Sequence, residues 1–139
     1  MMNNMTRNII AVIFGLIIGM VVNMGIVTVG PSIIPPPSGV DMTNMEGLKE
    51  GMKLFEPKNF LFPFLAHALG TFVGAFVAAK MAASHSMRCA MIVGFVFLLG
   101  GSMMVYMVGG PMWFIAADLV LAYLPMGYLG GLLGGKKDS

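Results

Sequence analysis

Apolar residues in this chain gather into four long runs, over residues 8–30, 60–83, 88–109 and 112–134. These runs hold 23, 24, 22 and 23 residues. At a helical rise of 1.5 Å per residue they reach roughly 33–36 Å, which matches a hydrocarbon core of about 30 Å crossed with modest tilt. Backbone groups in lipid must be hydrogen-bonded within the protein, so helices are the expected form. Alternating ten-residue segments of the kind a transmembrane β-barrel requires are absent. The pattern predicts an all-α fold: a four-helix transmembrane bundle in which residues 1–139 form a single membrane domain.

The connections refine this picture. His85 lies in a tight link between the second and third runs, and Gly110-Pro111 is nearly the whole link between the third and fourth. Short links make neighbouring helices antiparallel. Residues 31–59 are different. Pro35-Pro36-Pro37 favours a stiff extended stretch, and Thr43-x-x-Glu46 has the form of a capping box. Met45, Leu48, Met52 and Phe55 then recur at three- and four-residue spacing. That stripe predicts a short amphipathic helix lying at the interface in the first, outer loop; a solvated loop with chance periodicity is the alternative. The first run also has the shape of a secretory signal, with Arg7 ahead of an apolar core, but the apolar stretch runs on through Val29 without a convincing cleavage site.

Composition supports lipid as the solvent. Of the residues, 58% are hydrophobic and 10% charged, with a mean hydropathy of +0.88. Soluble domains carry about 25% charged residues, so a water-facing surface could not be covered. A net charge of +2 is too small to indicate a nucleic-acid partner. The lone Cys89 excludes an internal disulfide framework and a thiolate zinc site. Four spans place both termini and the second link on one side, with Arg7, Lys80, Arg88, Lys136 and Lys137. The other side holds Lys49, Lys53 and Lys58, offset by Asp41, Glu46, Glu50 and Glu56. Positive charge near span ends marks the cytoplasmic face, so both termini are expected there, in a bacterial inner membrane.

Small residues indicate how the helices meet. Ala66, Gly70, Gly74 and Ala78 form a row spaced by four, and Gly15 and Gly19 repeat that spacing in the first run. Gly127 and Gly131 do so near the end of the fourth. Such rows allow close backbone approach in lipid. Pro125 is expected to bend the fourth helix. On an unbent helix Gly127 lies about 180° from Asp118, so an inward Asp118 would leave glycine surface for another copy of the chain.

Polar residues within the runs mark the candidate site. Counted inward from the outer ends, Asn23, His67, Ser102 and Asp118 all lie at roughly 9–11 Å depth. His67 shares a face with Thr71, Gly70 and Gly74, and Tyr106 lies one turn from Ser102. Asp118, a carboxylate at depth, is costly unless paired or wetted. Such a cluster is first of all structural glue that locks the helices in register; a proton- or ion-handling site and a polar pocket for a small ligand or lipid headgroup are the alternatives. Sixteen methionines, with Met103, Met104, Met107 and Met112 grouped near the outer face, suit Cu(I) but also fill apolar gaps. Trp113, Phe114, Phe60, Phe62 and Phe64 fit an interfacial aromatic belt. No hydrolase or metalloprotease motif is present; an enzyme would have to use Asp118 and His67 as acid and base. The expected role is therefore structural or accessory, without cofactor or metal, through oligomerisation or association with other membrane proteins in lipid. A small proton, ion or solute transporter is the alternative.

Overall fold

The computed structural model describes residues 1–136. Among them α1 runs Asn4–Ile33, α2 Met45–Met52, α3 Leu61–Met81, α4 Ser86–Val108, α5 Met112–Leu121 and α6 Leu124–Gly134, with a single 3₁₀ turn over Pro57–Phe60 ahead of α3. Four helical segments are long and apolar enough to cross a membrane: α1, α3 with its leading turn, α4, and α5 with α6. Their outward surface is mostly apolar, as Ile13, Phe14, Ile17, Phe95, Leu99 and Leu133 illustrate.

α3 is the wall the other spans share. It buries Ala66, Ala68, Gly70, Thr71, Gly74, Ala75, Ala78 and Ala79, nearly all of them small. α1 lies directly on this row. A Cβ at Gly15 would sit 2.5 Å from the Gly74 carbonyl oxygen, and one at Gly19 would sit 2.7 Å from the Gly70 carbonyl oxygen. α6 meets the opposite flank, where a Cβ at Gly130 would lie 2.6 Å from the Phe72 carbonyl oxygen. Separations this short bring backbone to backbone, which maximises dispersion contacts between the helices.

Each end of the bundle is tied. At the terminal end, Asn8 Oδ1 accepts from the backbone N–H groups of Ala83 (2.8 Å) and Ser84 (3.2 Å), and Arg7 Nε donates to the Met81 carbonyl at 3.0 Å. The first turn of α1 thus satisfies backbone groups freed where α3 stops. His85 takes a left-handed conformation there, at φ 51°. At the loop end Phe60 is buried between Phe55, Trp113 and Phe114, with ring centroids 5.4, 5.4 and 4.5 Å away. Asn59 Nδ2 donates to the Pro35 carbonyl at 3.1 Å and pins the proline stretch.

Several sequence expectations are corrected. α1 begins four residues earlier than expected and continues through Pro31 to Ile33, since a proline in the last turn removes only one helical hydrogen bond. The cap of α2 is Asn44, whose side chain accepts from Gly47 N–H at 2.6 Å; Thr43 instead turns back to Asp41, so the Thr43-x-x-Glu46 box does not form. Those bonds from Thr43 hold the Asp41 carboxyl below its usual range. Phe60 is the centre of an aromatic cluster rather than a member of an outward belt. The fourth run is two helices, not one bent helix, with the break at Ala122–Tyr123. The break resets the helical phase, so Gly127 faces α4, and a Cβ there would lie 3.3 Å from the Gly94 Cα. The surface expected to face a second copy is therefore used inside the chain.

These contacts carry a test. Gly15→Val should drive α1 off α3 and destabilise the bundle by about 1–3 kcal/mol or more. Gly25→Val on the same helix, where an added Cβ meets nothing within 4 Å, should be nearly neutral. Unfolding of both variants in detergent checks the contrast; equal effects would contradict the packing described.

Candidate functional site

α3 carries His67 and α5 carries Asp118, and their side chains meet with His67 Nδ1 2.8 Å from Asp118 Oδ1. Asp118 is 2% exposed, so its oxygens need partners inside the protein. The second, Oδ2, accepts from the Tyr123 hydroxyl at 3.1 Å. Tyr123 is itself buried, and its ring stacks on the His67 ring at 5.7 Å between centroids. With Asp118 ionised, both neighbours donate to it. With His67 neutral, Nδ1 then carries the hydrogen, and Nε2 is an acceptor with no partner among the described residues.

Tyr123 completes this triad, and its role there was missed by the sequence reasoning. Five residues along a continuous helix amount to about 500°, which would place Tyr123 some 140° away from Asp118. The break before α6, where Tyr123 adopts φ −114° and ψ −76°, turns its hydroxyl back to the carboxylate. Pro125, just inside α6, cannot supply the N–H that a continuous helix would need. The ring finds room only because position 101 is glycine: an added Cβ there would collide with the Tyr123 hydroxyl.

The other expected members are placed differently. Thr71 Oγ donates to the His67 carbonyl one turn back, at 2.7 Å. Ser102 is exposed and donates to the Leu98 carbonyl at 2.8 Å, and Tyr106 is 91% exposed. Gly101 is the position on α4 that faces Tyr123, so Ser102, about 100° further round, points outward, and Tyr106 follows it. Neither belongs to the site. Asn23 makes no hydrogen bond to the triad but stands across a cavity from it, and its buried Oδ1 has no hydrogen-bond partner among the described residues.

That cavity measures about 210 Å³ and lies between α1, α3 and α4. Asn23, His67, Thr71 and Tyr123 supply its polar lining. Phe97, which reaches across to Gly19, borders it toward the terminal end. Gly100 and Met104 are exposed at its edge, so it opens sideways between α1 and α4. Beyond Phe97 the bundle is closed by a core of Ala11, Ala75, Ala78, Cys89, Ala90 and Val93. Among the described residues no group of three or more His, Cys, Asp or Glu side chains could hold a metal ion.

If the His67–Asp118 contact is a hydrogen bond in a low-dielectric interior, a double-mutant cycle of His67→Ala and Asp118→Ala should give a coupling of about 0.6–2 kcal/mol. Tyr123→Phe should cost less than Asp118→Ala, because its ring still packs on His67. A coupling near zero in detergent unfolding would show that the pair contributes nothing.

No family model matches this chain, and neither does any curated protein or solved structure.

Proposed function

We propose that the chain is a non-enzymatic accessory protein of a bacterial inner membrane that holds a small hydrogen-bonding ligand, or the polar head of an amphiphile, in the cleft over His67. The observation that carries this is the cleft's unbalanced hydrogen bonding. Among the described residues the buried Asn23 Oδ1 has no hydrogen-bond partner, and an unmet buried acceptor costs about 1–3 kcal/mol; His67, bonded to Asp118 through Nδ1, presents its other ring edge to the same cleft. A ligand that donates to these groups offsets that cost. The sideways mouth supports entry from the bilayer rather than along the bundle axis.

Insertion is supported by the four apolar spans and by the apolar outer surface. Orientation is supported by charge. Arg7, Lys80, Arg88 and Lys136 fall at the terminal end, while the lysines of the loop end are offset by Asp41, Glu46, Glu50 and Glu56. That bias puts the termini in the cytoplasm. α2, with its cap and apolar stripe, then lies at the outer interface. Transport draws less support, because below Phe97 the bundle interior is packed with Ala11, Ala75, Ala78, Cys89, Ala90 and Val93. Association with a second copy draws none from Gly127, which is covered by α4.

Three measurements test the proposal. Protein purified in mild detergent should carry a small extractable molecule, seen by mass spectrometry, that is lost in His67→Ala and Asn23→Leu. Its absence from wild type, or its retention in both variants, would count against the cleft as a binding site. Wild-type proteoliposomes should show no proton or ion flux; a flux abolished by Asp118→Asn would instead support transport. Lys58→Cys should react with an impermeant maleimide in intact cells, whereas labelling of a cysteine placed at Lys136 under the same conditions would reverse the orientation.

A further inference from the structure

A second furrow opens between α1 and α4 at the terminal end of the bundle. It holds about 550 Å³ and is polar at one end and apolar along its length. Asn8, Ser84, His85 and Arg88 line the end nearest the helix termini; Ile9, Val12, Ile13 and Ile92 line the rest. Arg88 is exposed and has no carboxylate partner among the described residues. Of the acids among the described residues, Asp41, Glu46, Glu50 and Glu56 lie in the segment between α1 and α3, and Asp118 is held by His67 and Tyr123. His85 is exposed beside Arg88, with its Nδ1 3.2 Å from the Ser84 hydroxyl. The link that positions Ser84 and His85 is fixed by Asn8, so the polar end is built rather than loose.

We infer that this furrow binds one anionic phospholipid, with the phosphate at Arg88 and the Ser84–His85 turn and an acyl chain along Ile9, Val12, Ile13 and Ile92. The inference rests on the membrane-spanning reading above but not on the His67 cleft. Charge complementarity argues for an anion. A guanidinium presents a planar fork of donors that matches phosphate oxygens, and basic pockets between spans suit lipid headgroups. The apolar walls argue for a lipid rather than a free phosphate. They continue from the polar end in the direction an acyl chain takes from its headgroup, and a bare ion has no use for them.

The test uses the full chain in mild detergent, mixed with equal amounts of phosphatidylglycerol and phosphatidylcholine, with bound lipids counted by native mass spectrometry. Phosphatidylglycerol should be retained in excess, and Arg88→Ala should reduce that excess about fivefold. Lys80→Ala, which removes a charge at the same end but outside the furrow, should leave it unchanged. Ile13→Trp should also lower the excess by filling the acyl wall with every charge intact, and it decides the matter if Arg88→Ala does not fold. No preference for phosphatidylglycerol, an equal loss in Lys80→Ala, or displacement of the lipid by inorganic phosphate would each overturn the inference. Carbonate extraction of membranes separates the possible failures. A chain that washes out removes the membrane reading and this site together, whereas a retained chain without the preference removes this site alone. Asn23→Leu, which should empty the His67 cleft, should not alter the phospholipid excess.

Discussion

The close approach of α1 and α6 to opposite flanks of α3 is the constraint on which the rest depends. In lipid, apolar side chains gain little by turning inward, so helices associate where their backbones can come near each other. Along α3 that condition is met by buried residues no larger than threonine over about four turns, from Ala66 to Ala79. The packing makes α3 the central wall and brings its one ionisable side chain away from the ends, His67, inside the bundle. The polar chemistry is therefore a consequence of how small the neighbouring side chains are.

The same packing explains why two furrows lie between α1 and α4. Both helices rest on α3, but they touch each other little; near mid-span, Phe97 bridges them at Gly19. Above the bridge lies the cleft over His67, and below it the furrow ending at Arg88. The two differ in chemistry because the residues that reach them differ. The first has the Asn23 acceptor, without a partner among the described residues, and a buried carboxylate behind His67; the second has Arg88, with no carboxylate partner among the described residues, and long apolar walls. Both face sideways, which suits ligands that travel within a bilayer.

The break in the fourth span decides the character of the first cleft. A continuous helix through Pro125 would present Asp118 and Tyr123 on different faces and leave the carboxylate with one partner. Ending α5 at Leu121 and restarting at Leu124 gives it two, and this also rotates Gly127 and Gly131 against α4, where Gly131 meets Met87 and Ala90. One local disruption thus serves both the polar triad and the packing of the last helix. Glycine at 101 makes the arrangement sterically accessible.

Much of this was legible in the amino-acid order. Run length and hydropathy determined four apolar helical segments and their antiparallel connections, because these depend on each segment's own composition. The four-residue spacing of Ala66, Gly70, Gly74 and Ala78 marked the face of α3 that is buried, and depth counting brought His67 and Asp118 to a common level. Depth, however, says nothing of direction. Ser102 lies at a suitable depth yet points outward, as does Tyr106 one turn on, since the side of α4 that turns inward is chosen by Gly94 and Gly101 meeting α6 and Tyr123. The Tyr123 hydroxyl, the placement of Gly127 and both furrows were decided only in three dimensions. Each depends on where a helix breaks or on the gap between two helices that share a third, and those relations are set by packing between segments distant in the chain.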